Sequence, residues 1–307
     1  MLEEVYDVDK LSWEKIIDII EENLVEPEHC KQSKQWFIDY IEGKTITTLP
    51  ECADKITHIG SGTFAHNNLL ELLSLPDSIV TIGDYAFKKC TNLALTSLPE
   101  NLTDIGRGAF HGCTALSLSA LPNSITEIKN EVFSECTNLA LTSLPNGITS
   151  IGDYAFDGCT NLALTSLPNE VTNIGECAFY GCTNLALTSL PNGITSIGSN
   201  AFDGCTNLTL THLPDNITVL TINVFVGCDG LSSITLPRNL KHADNAVFKE
   251  CANLSSVTFT GTPDYLYEVF YECPNLTTIN VPWAEGEVAN APWGATNATI
   301  NYNYSPT

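Results

Sequence analysis

Twelve cysteines and six histidines are the side chains in this chain most able to do nucleophilic or metal chemistry, and their spacing argues against both uses. Cys90, Cys113, Cys136, Cys159, Cys182, Cys205, Cys228 and Cys251 recur every 23 residues, and Cys273 follows almost in step. A catalytic thiolate needs a base or cation beside it, and structural zinc needs closely paired ligands of the C-x-x-C kind. No such pair occurs, and the histidines at 29, 58, 66, 111, 212 and 242 share no repeat position. One cysteine per period predicts a file of buried free thiols acting as small hydrophobes. Strands about 4.8 Å apart would meet the distance condition for disulfides, but parallel side chains in register do not give the torsion of about 90° that a bridge needs. Asp157 and Asp203 recur at one turn without the dense carboxylate loop that calcium requires. Neither G-x-S-x-G, H-E-x-x-H, a P-loop nor a dinucleotide fingerprint is present. The expectation is no enzyme, no cofactor and no metal.

Two surfaces remain as candidates for binding. Thr96, Thr142, Thr165, Thr188 and Thr211 form a periodic hydroxyl column, with Ser97, Ser143, Ser166, Ser189 and His212 beside it. Such a flat, weakly charged ladder can hydrogen-bond a glycan or a peptide, or be plain solvated strand surface. Trp283, Trp293, Tyr302 and Tyr304 near the C-terminus can make an aromatic sugar platform or a plug for the last coil.

The elements that hold these residues follow from a second periodic file. Prolines at 76, 99, 122, 145, 168, 191, 214 and 237 keep the same 23-residue interval. A fixed period in the twenties marks a solenoid, in which no coil can bury its own apolar face and neighbours must stack. In residues 136–158 two strand-like pieces are expected, one carrying Leu139, Leu141 and Leu144 and one carrying Ile148 and Ile151, followed by a short helical turn at Ala155 and Phe156. Pro145 lacks an N–H and suits a corner, and Gly152 is expected to take positive φ at the next one. Phe87, Phe110, Phe133, Phe156, Phe179, Phe202, Phe225 and Phe248 predict a stacked aromatic column. The corner glycine is replaced by Lys129, Thr221 and Asp244, which predicts altered local curvature there. The strand text also changes from L-x-L-T-S-L to L-S-S-I-T-L at residues 231–236, which leaves open a shift of strand register. Ahead of the repeats, Trp13, Ile16, Ile17, Ile20 and Leu24 fall at helical spacing, and a second helix is expected from Pro27. The organisation read from this is a helical cap over residues 1–45, a solenoid of about ten coils over 46–281, and an irregular C-terminal cap over 282–307.

A net charge of −23 and the absence of any Lys or Arg between Lys129 and Arg238 exclude nucleic acid and anionic membrane surfaces as partners. The first nine residues are acidic and carry no apolar run, so a chain beginning there is expected to lack a secretory signal. No run approaches the roughly 18 consecutive apolar residues of a membrane span. The expectation is a soluble protein, cytoplasmic at synthesis, associated with a virion or exported by a non-classical route.

The unit L-x-x-[IL]-x-L-P-x-x-I-T-x-I-G-x-x-A-F-x-x-C-x-x-L, over about residues 46–281, resembles the BspA-like leucine-rich repeats of bacteria, protists and phages. The resemblance implies a right-handed α/β solenoid with a parallel sheet on its concave face, no catalytic centre, and a role as surface adhesin or host-interaction protein. The closing stretch P-W-A-E-G-E-V followed by A-P-W-G-A-T-N-A-T-I looks like the ends of repeat proteins from phage and prophage tail regions of gut Firmicutes. Together these predict a non-enzymatic recognition or adhesion scaffold that binds a protein or carbohydrate on a host surface through its repeat face. The alternative is a phage-tail spacer or an intracellular protein-interaction module.

Overall fold

The computed structural model describes residues 44, 45, 47 and 56–305, so the two helices expected near the N-terminus lie outside the described residues. Fourteen short strands follow one another: β1 (His58–Ile59), β2 (Thr81–Ile82), β3 (Asp104–Ile105), β4 (Glu127–Ile128), β5 (Ser150–Ile151), β6 (Asn173–Ile174), β7 (Ser196–Ile197), β8 (Val219–Leu220), β9 (Ser233–Leu236), β10 (His242–Ala243), β11 (Ser256–Phe259), β12 (Tyr265–Leu266), β13 (Thr278–Asn280) and β14 (Thr299–Asn301). All pairings are parallel and set equivalent positions of successive coils opposite one another, Ile151 against Ile174 and Ile174 against Ile197. The chain is a parallel β-solenoid, as its period predicts. Each strand places one side chain inward and the next outward, so Ile151 is buried where Ser150 is half exposed.

The core is a set of files running along the stack. Phe64, Phe87, Phe110 and their successors to Phe270 stack ring on ring, with centroids 5.2 Å apart at Phe225–Phe248 and 5.9 Å at Phe248–Phe270. Beside them runs the thiol file. Cys159 is buried and free, and its Sγ–H donates to the carbonyl of Phe133 at 2.9 Å. Cys182 repeats the bond to Phe156 at 3.0 Å, and Cys205 to Phe179 at 3.1 Å. Each of these carbonyls already accepts an N–H from the cysteine of its own coil, as Phe156 does from Cys159 at 3.0 Å. A thiol suits that second lone pair because it is apolar enough for the core and still a weak donor.

The described residues contain strand and turn but no helix, which corrects the α/β class. The A-F step is a ladder of tight turns. Tyr154, Phe156 and Gly158 send their N–H groups to Glu176, Ala178 and Tyr180 of the next coil at 2.7, 2.8 and 2.8 Å. The alternate residues Ala155, Asp157 and Cys159 bond three residues back within their own coil. A helix would satisfy every N–H internally and leave nothing to join the coils. The alternation needs left-handed backbone at Tyr154 (φ 57°) and Gly158 (φ 69°), and Gly serves the second at no steric cost.

Gly152 corrects a second expectation. It does not sit at positive φ; its need is for space. A Cβ placed there would lie 2.6 Å from the backbone nitrogen of Asn130 and 2.8 Å from the carbonyl carbon of Lys129. Gly83, Gly106, Gly175 and Gly198 are crowded in the same way by the coil before them. At two of the corners that lack the glycine, the sheet stops. β1, β2 and β3 form one sheet and β4 to β7 another, with the break at the Lys129 corner; β8, β10 and β12 form a third, beginning at the Thr221 corner. At the glycine corners the amide bonds back, as Gly198 does to Ile174 at 2.8 Å. At the second break the hydroxyl of Thr221 takes the carbonyl of Ile197 instead, at 3.2 Å. The turn ladder runs on through both breaks, with Phe110 bonded to Val132 at 3.0 Å and Phe202 to Val224 at 2.9 Å. Asp244 keeps its ladder bond to Leu220 at 2.9 Å, and nothing in the structure explains why it alone of the three does.

The change of strand text causes no slip of register. Thr235 N–H reaches Thr211 and Leu213 N–H reaches Thr235, with His212 opposite Thr235. What moves is the pair of adjacent outward residues. In L-T-S-L the pair Thr142 and Ser143 is exposed between buried Leu141 and Leu144, which interrupts the pleat, and no strand forms. In S-I-T-L, outward and inward residues alternate, and β9, β11, β13 and β14 pair as a fourth sheet. At the C-terminal end Phe259, Trp283 and Trp293 meet edge to face, with Phe259–Trp283 centroids 5.1 Å apart at 73°.

Candidate recognition surface

The outward pair of each L-T-S-L-P corner is what the fold leaves available for binding. Leu141 and Leu144 are anchored in the core and Pro145 is buried, so Thr142 and Ser143 must face solvent. The same holds for Thr96 with Ser97, Thr165 with Ser166, Thr188 with Ser189 and Thr211 with His212, all exposed. Sequence reasoning passed over Ser119 and Ala120, which occupy these positions in the intervening coil; their distance of 23 residues from Thr96 and Ser97 was the available signal.

The column is not uniform. A groove of about 430 Å³ brings Thr96, Ser97, Ser119 and Ser143 together over Pro122 and Pro145, with Glu100, Asn123 and Asn146 at its edge. A second groove, of about 460 Å³, lies at the corner of the later coils and is lined by His212, Asp215, Asn216, Arg238, Thr235 and Thr260, among others. Thr142, Thr165, Ser166, Thr188, Ser189 and Thr211 line neither groove, so the structure does not gather the ten candidates into one site. At the second groove His212 Nδ1 lies 3.3 Å from the hydroxyl of Thr211, which is itself outside the lining, and Asn216 Nδ2 donates to the Asn192 carbonyl at 2.8 Å.

The candidate aromatic patch divides. Trp283 and Trp293 are buried, and Trp293 Nε1 donates to the Ala289 carbonyl at 2.8 Å, so their faces close the last coil and are not offered to a sugar. Tyr302 is half-buried against the core and Tyr304 is exposed. The exposed aromatic pair is elsewhere: Tyr265 and Tyr267 on and beside β12, rings parallel within 4° and 6.3 Å apart. The Y-L-Y alternation around buried Leu266 was the overlooked sign.

Among the described residues no group of three or more possible metal ligands converges. Burial pushes the thiols from Cys90 to Cys228 up from their ordinary value of 9.0, Cys90 to about 11, which disfavours the nucleophilic thiolate; Cys273 alone in the file is lowered, by its hydrogen bond with Cys251. His111, Ser134 and Asp157 stand at one turn position in three successive coils. Ser134 Oγ donates to Asp157 Oδ2 at 3.4 Å, so the serine lies between acid and histidine, whereas a nucleophilic triad places the histidine between the other two. Burial lowers the pKa of His111, and its Nδ1 has no partner among the described residues.

Three of the cations are held in ion pairs. Arg107 pairs with Glu131 and lies 5.8 Å from the Tyr85 ring, Lys129 pairs with Asp104 at 2.6 Å, and Lys249 with Glu250 at 3.0 Å. Among the described residues no helix is long and apolar enough to cross a membrane.

Solved structures of similar fold come from bacteria. A leucine-rich repeat protein from Bacteroides ovatus is 24% identical, with a TM-score of 0.52 over 73% of this chain and 64% of that one. The chain thus spans about two thirds of that protein's length. The pneumococcal vaccine antigen PcpA is 19% identical, with a TM-score of 0.52 over 78% of this chain and 68% of its own. A leucine-rich cell surface protein from Faecalibacterium prausnitzii is 26% identical, with a TM-score of 0.47 over 81% and 84%. No curated protein matches. These bacterial structures lend the phage-tail likeness of the closing stretch no support. The family model for the BspA type leucine rich repeat region, in six copies, matches residues 57–186 and 183–290. With its parallel coils and its phenylalanine and cysteine files, the chain belongs to the BspA-type leucine-rich repeat family.

Proposed function

We propose that the protein is a non-enzymatic recognition scaffold that binds a protein or carbohydrate on a host surface through the outward pairs of its L-T-S-L-P corners. The observation that carries this reading is the grooved corner file itself: its side chains take no part in core packing, are dominated by hydroxyls and amides, and are indented at Thr96–Ser143 and at His212–Arg238. Rigid stacked coils hold such side chains at fixed spacing, which limits the entropy lost on binding. The reading is tested on arrays of glycans and surface proteins with the unaltered chain and with Ser143→Arg/His212→Glu, which alters both grooves. Saturable binding that the double variant weakens by roughly tenfold or more supports it, a change of about 1.4 kcal/mol. Absence of any saturable ligand, or equal binding by the variant, overturns it and leaves the corner as solvated surface.

A further inference from the structure

Arg238 is the first cation after Lys129, in a chain of net charge −23. Its guanidinium has no ion-pair or hydrogen-bond partner among the described residues, although carboxylates outnumber cations 36 to 13 in the sequence. Arg238 is exposed and lines the 460 Å³ groove. Asp215, its nearest acidic neighbour in that groove, is engaged with the corner backbone: its Oδ1 accepts the Arg238 N–H at 2.9 Å. The other polar groups lining the groove are hydrogen-bonding side chains of Asn192, Asn216, His212, Thr235 and Thr260. The groove of Thr96 and Ser143 is built at the same corner but carries Glu100 and no cation.

Resting on the recognition reading, we infer that the Arg238 groove binds the terminal carboxylated sugar of an acidic glycan. The guanidinium fork matches a carboxylate in two parallel hydrogen bonds. The amides and hydroxyls around it match sugar hydroxyls, and a groove of this volume falls in the range of small-ligand sites, about 300–1,000 Å³. An extended peptide has less to hold, because the backbone here is already paired: His212 lies in a bridge with Thr235, and Leu213 N–H bonds to Thr235 at 3.0 Å. The negative field of the whole chain opposes dense polyanions, but at physiological salt it is screened beyond about 8 Å, so the charges that a bound carboxylate meets in this groove are the guanidinium of Arg238 and the backbone-engaged carboxylate of Asp215.

The test is binding of sialyllactose, lactose and a short peptide with a free C-terminal carboxylate to the full chain, followed by titration calorimetry and saturation-transfer NMR. Sialyllactose is expected to bind saturably, lactose at least tenfold more weakly, and binding should weaken as salt is raised. Arg238→Gln should cost tenfold or more, while Arg238→Lys should recover part of it and Tyr180→Arg, at an exposed position on the turn side, should change nothing. Circular dichroism melts check that the variants fold alike. Equal binding of lactose and sialyllactose, preference for the peptide, indifference to Arg238→Gln or lack of any binding would each overturn the acidic-glycan site. If the arrays still yield a ligand sensitive to Ser143→Arg/His212→Glu, the recognition reading survives that loss; if they yield none, both fall.

Discussion

The two sides of each coil behave differently along the stack. On the turn side the phenylalanine file and the ladder through Tyr154, Phe156 and Gly158 pass every coil from Phe64 to Phe270 without interruption. On the sheet side the short strands fall into separate groups, broken at Lys129 and Thr221. The same chain crosses both sides of every coil, so the difference is local: the ladder bond is lost at the Lys129 and Thr221 corners, while the glycine corners keep it and so do Asp244 and Tyr267. Cohesion of the array therefore rests on the turn side, and the sheet tolerates gaps because the aromatic and thiol files beneath it continue.

The largest effect that could break this comparison is removal of a ring. Phe156→Ala should cost about 3–5 kcal/mol, since it opens a cavity between Phe133 and Phe179 in a file with no other means of closure. Chemical denaturation checks it, and a loss under 1 kcal/mol, by the same scale, would mean that the turn side does not carry the stack. Next is Gly175→Ala, whose new Cβ would lie 2.5 Å from the Asp153 backbone nitrogen. Relief of that overlap should cost about 1–3 kcal/mol and open a third gap in the sheet.

The thiols sharpen the contrast through pH. From Cys90 to Cys228 burial holds the file protonated, so the folded values lie above the ordinary 9.0, whereas Cys273, hydrogen-bonded to Cys251, is shifted down. Their stabilisation is present in full below pH 9.0 and is lost as pH rises through the folded values, which for Cys90 means about 11. Melting temperature should fall across that window, and iodoacetamide at pH 8 should label the file only in denaturant. Stoichiometric labelling of the native protein would contradict the burial. The smallest effect is Lys129→Gly, which restores a glycine corner at the loss of the exposed Lys129–Asp104 pair. The net change should stay within about 1 kcal/mol, because surface pairs contribute little and glycine adds freedom to the unfolded chain.

Period, strand direction and the two core files were legible in the sequence because each coil spends one fixed position on Phe and one on Cys. The A-F turn was misread as helical because left-handed backbone at Tyr154 is invisible in residue type. Gly152 was assigned the wrong reason, since crowding by Asn130 depends on how coils stack and not on the local text. Lys129 and Thr221 were visible as irregular corners, but which of the three substitutions would part the sheet was not. The hydroxyl column was legible as a file, whereas its indentation into two grooves depends on how successive corners sit over one another. Arg238 stood out only as the end of a cation-free stretch, and its lack of a partner is a property of the folded surface.

Amide hydrogen exchange read residue by residue tests the central claim most directly, because it reports both ladders in one experiment. The account predicts that the amides of Phe110 and Phe202 are as slow as those of Phe156 and Phe179, while Lys129 and Thr221 exchange far faster than Gly106, Gly152, Gly175 and Gly198. Equal protection at all six corners, or loss of protection at Phe110 and Phe202 together with their neighbouring corners, would contradict it.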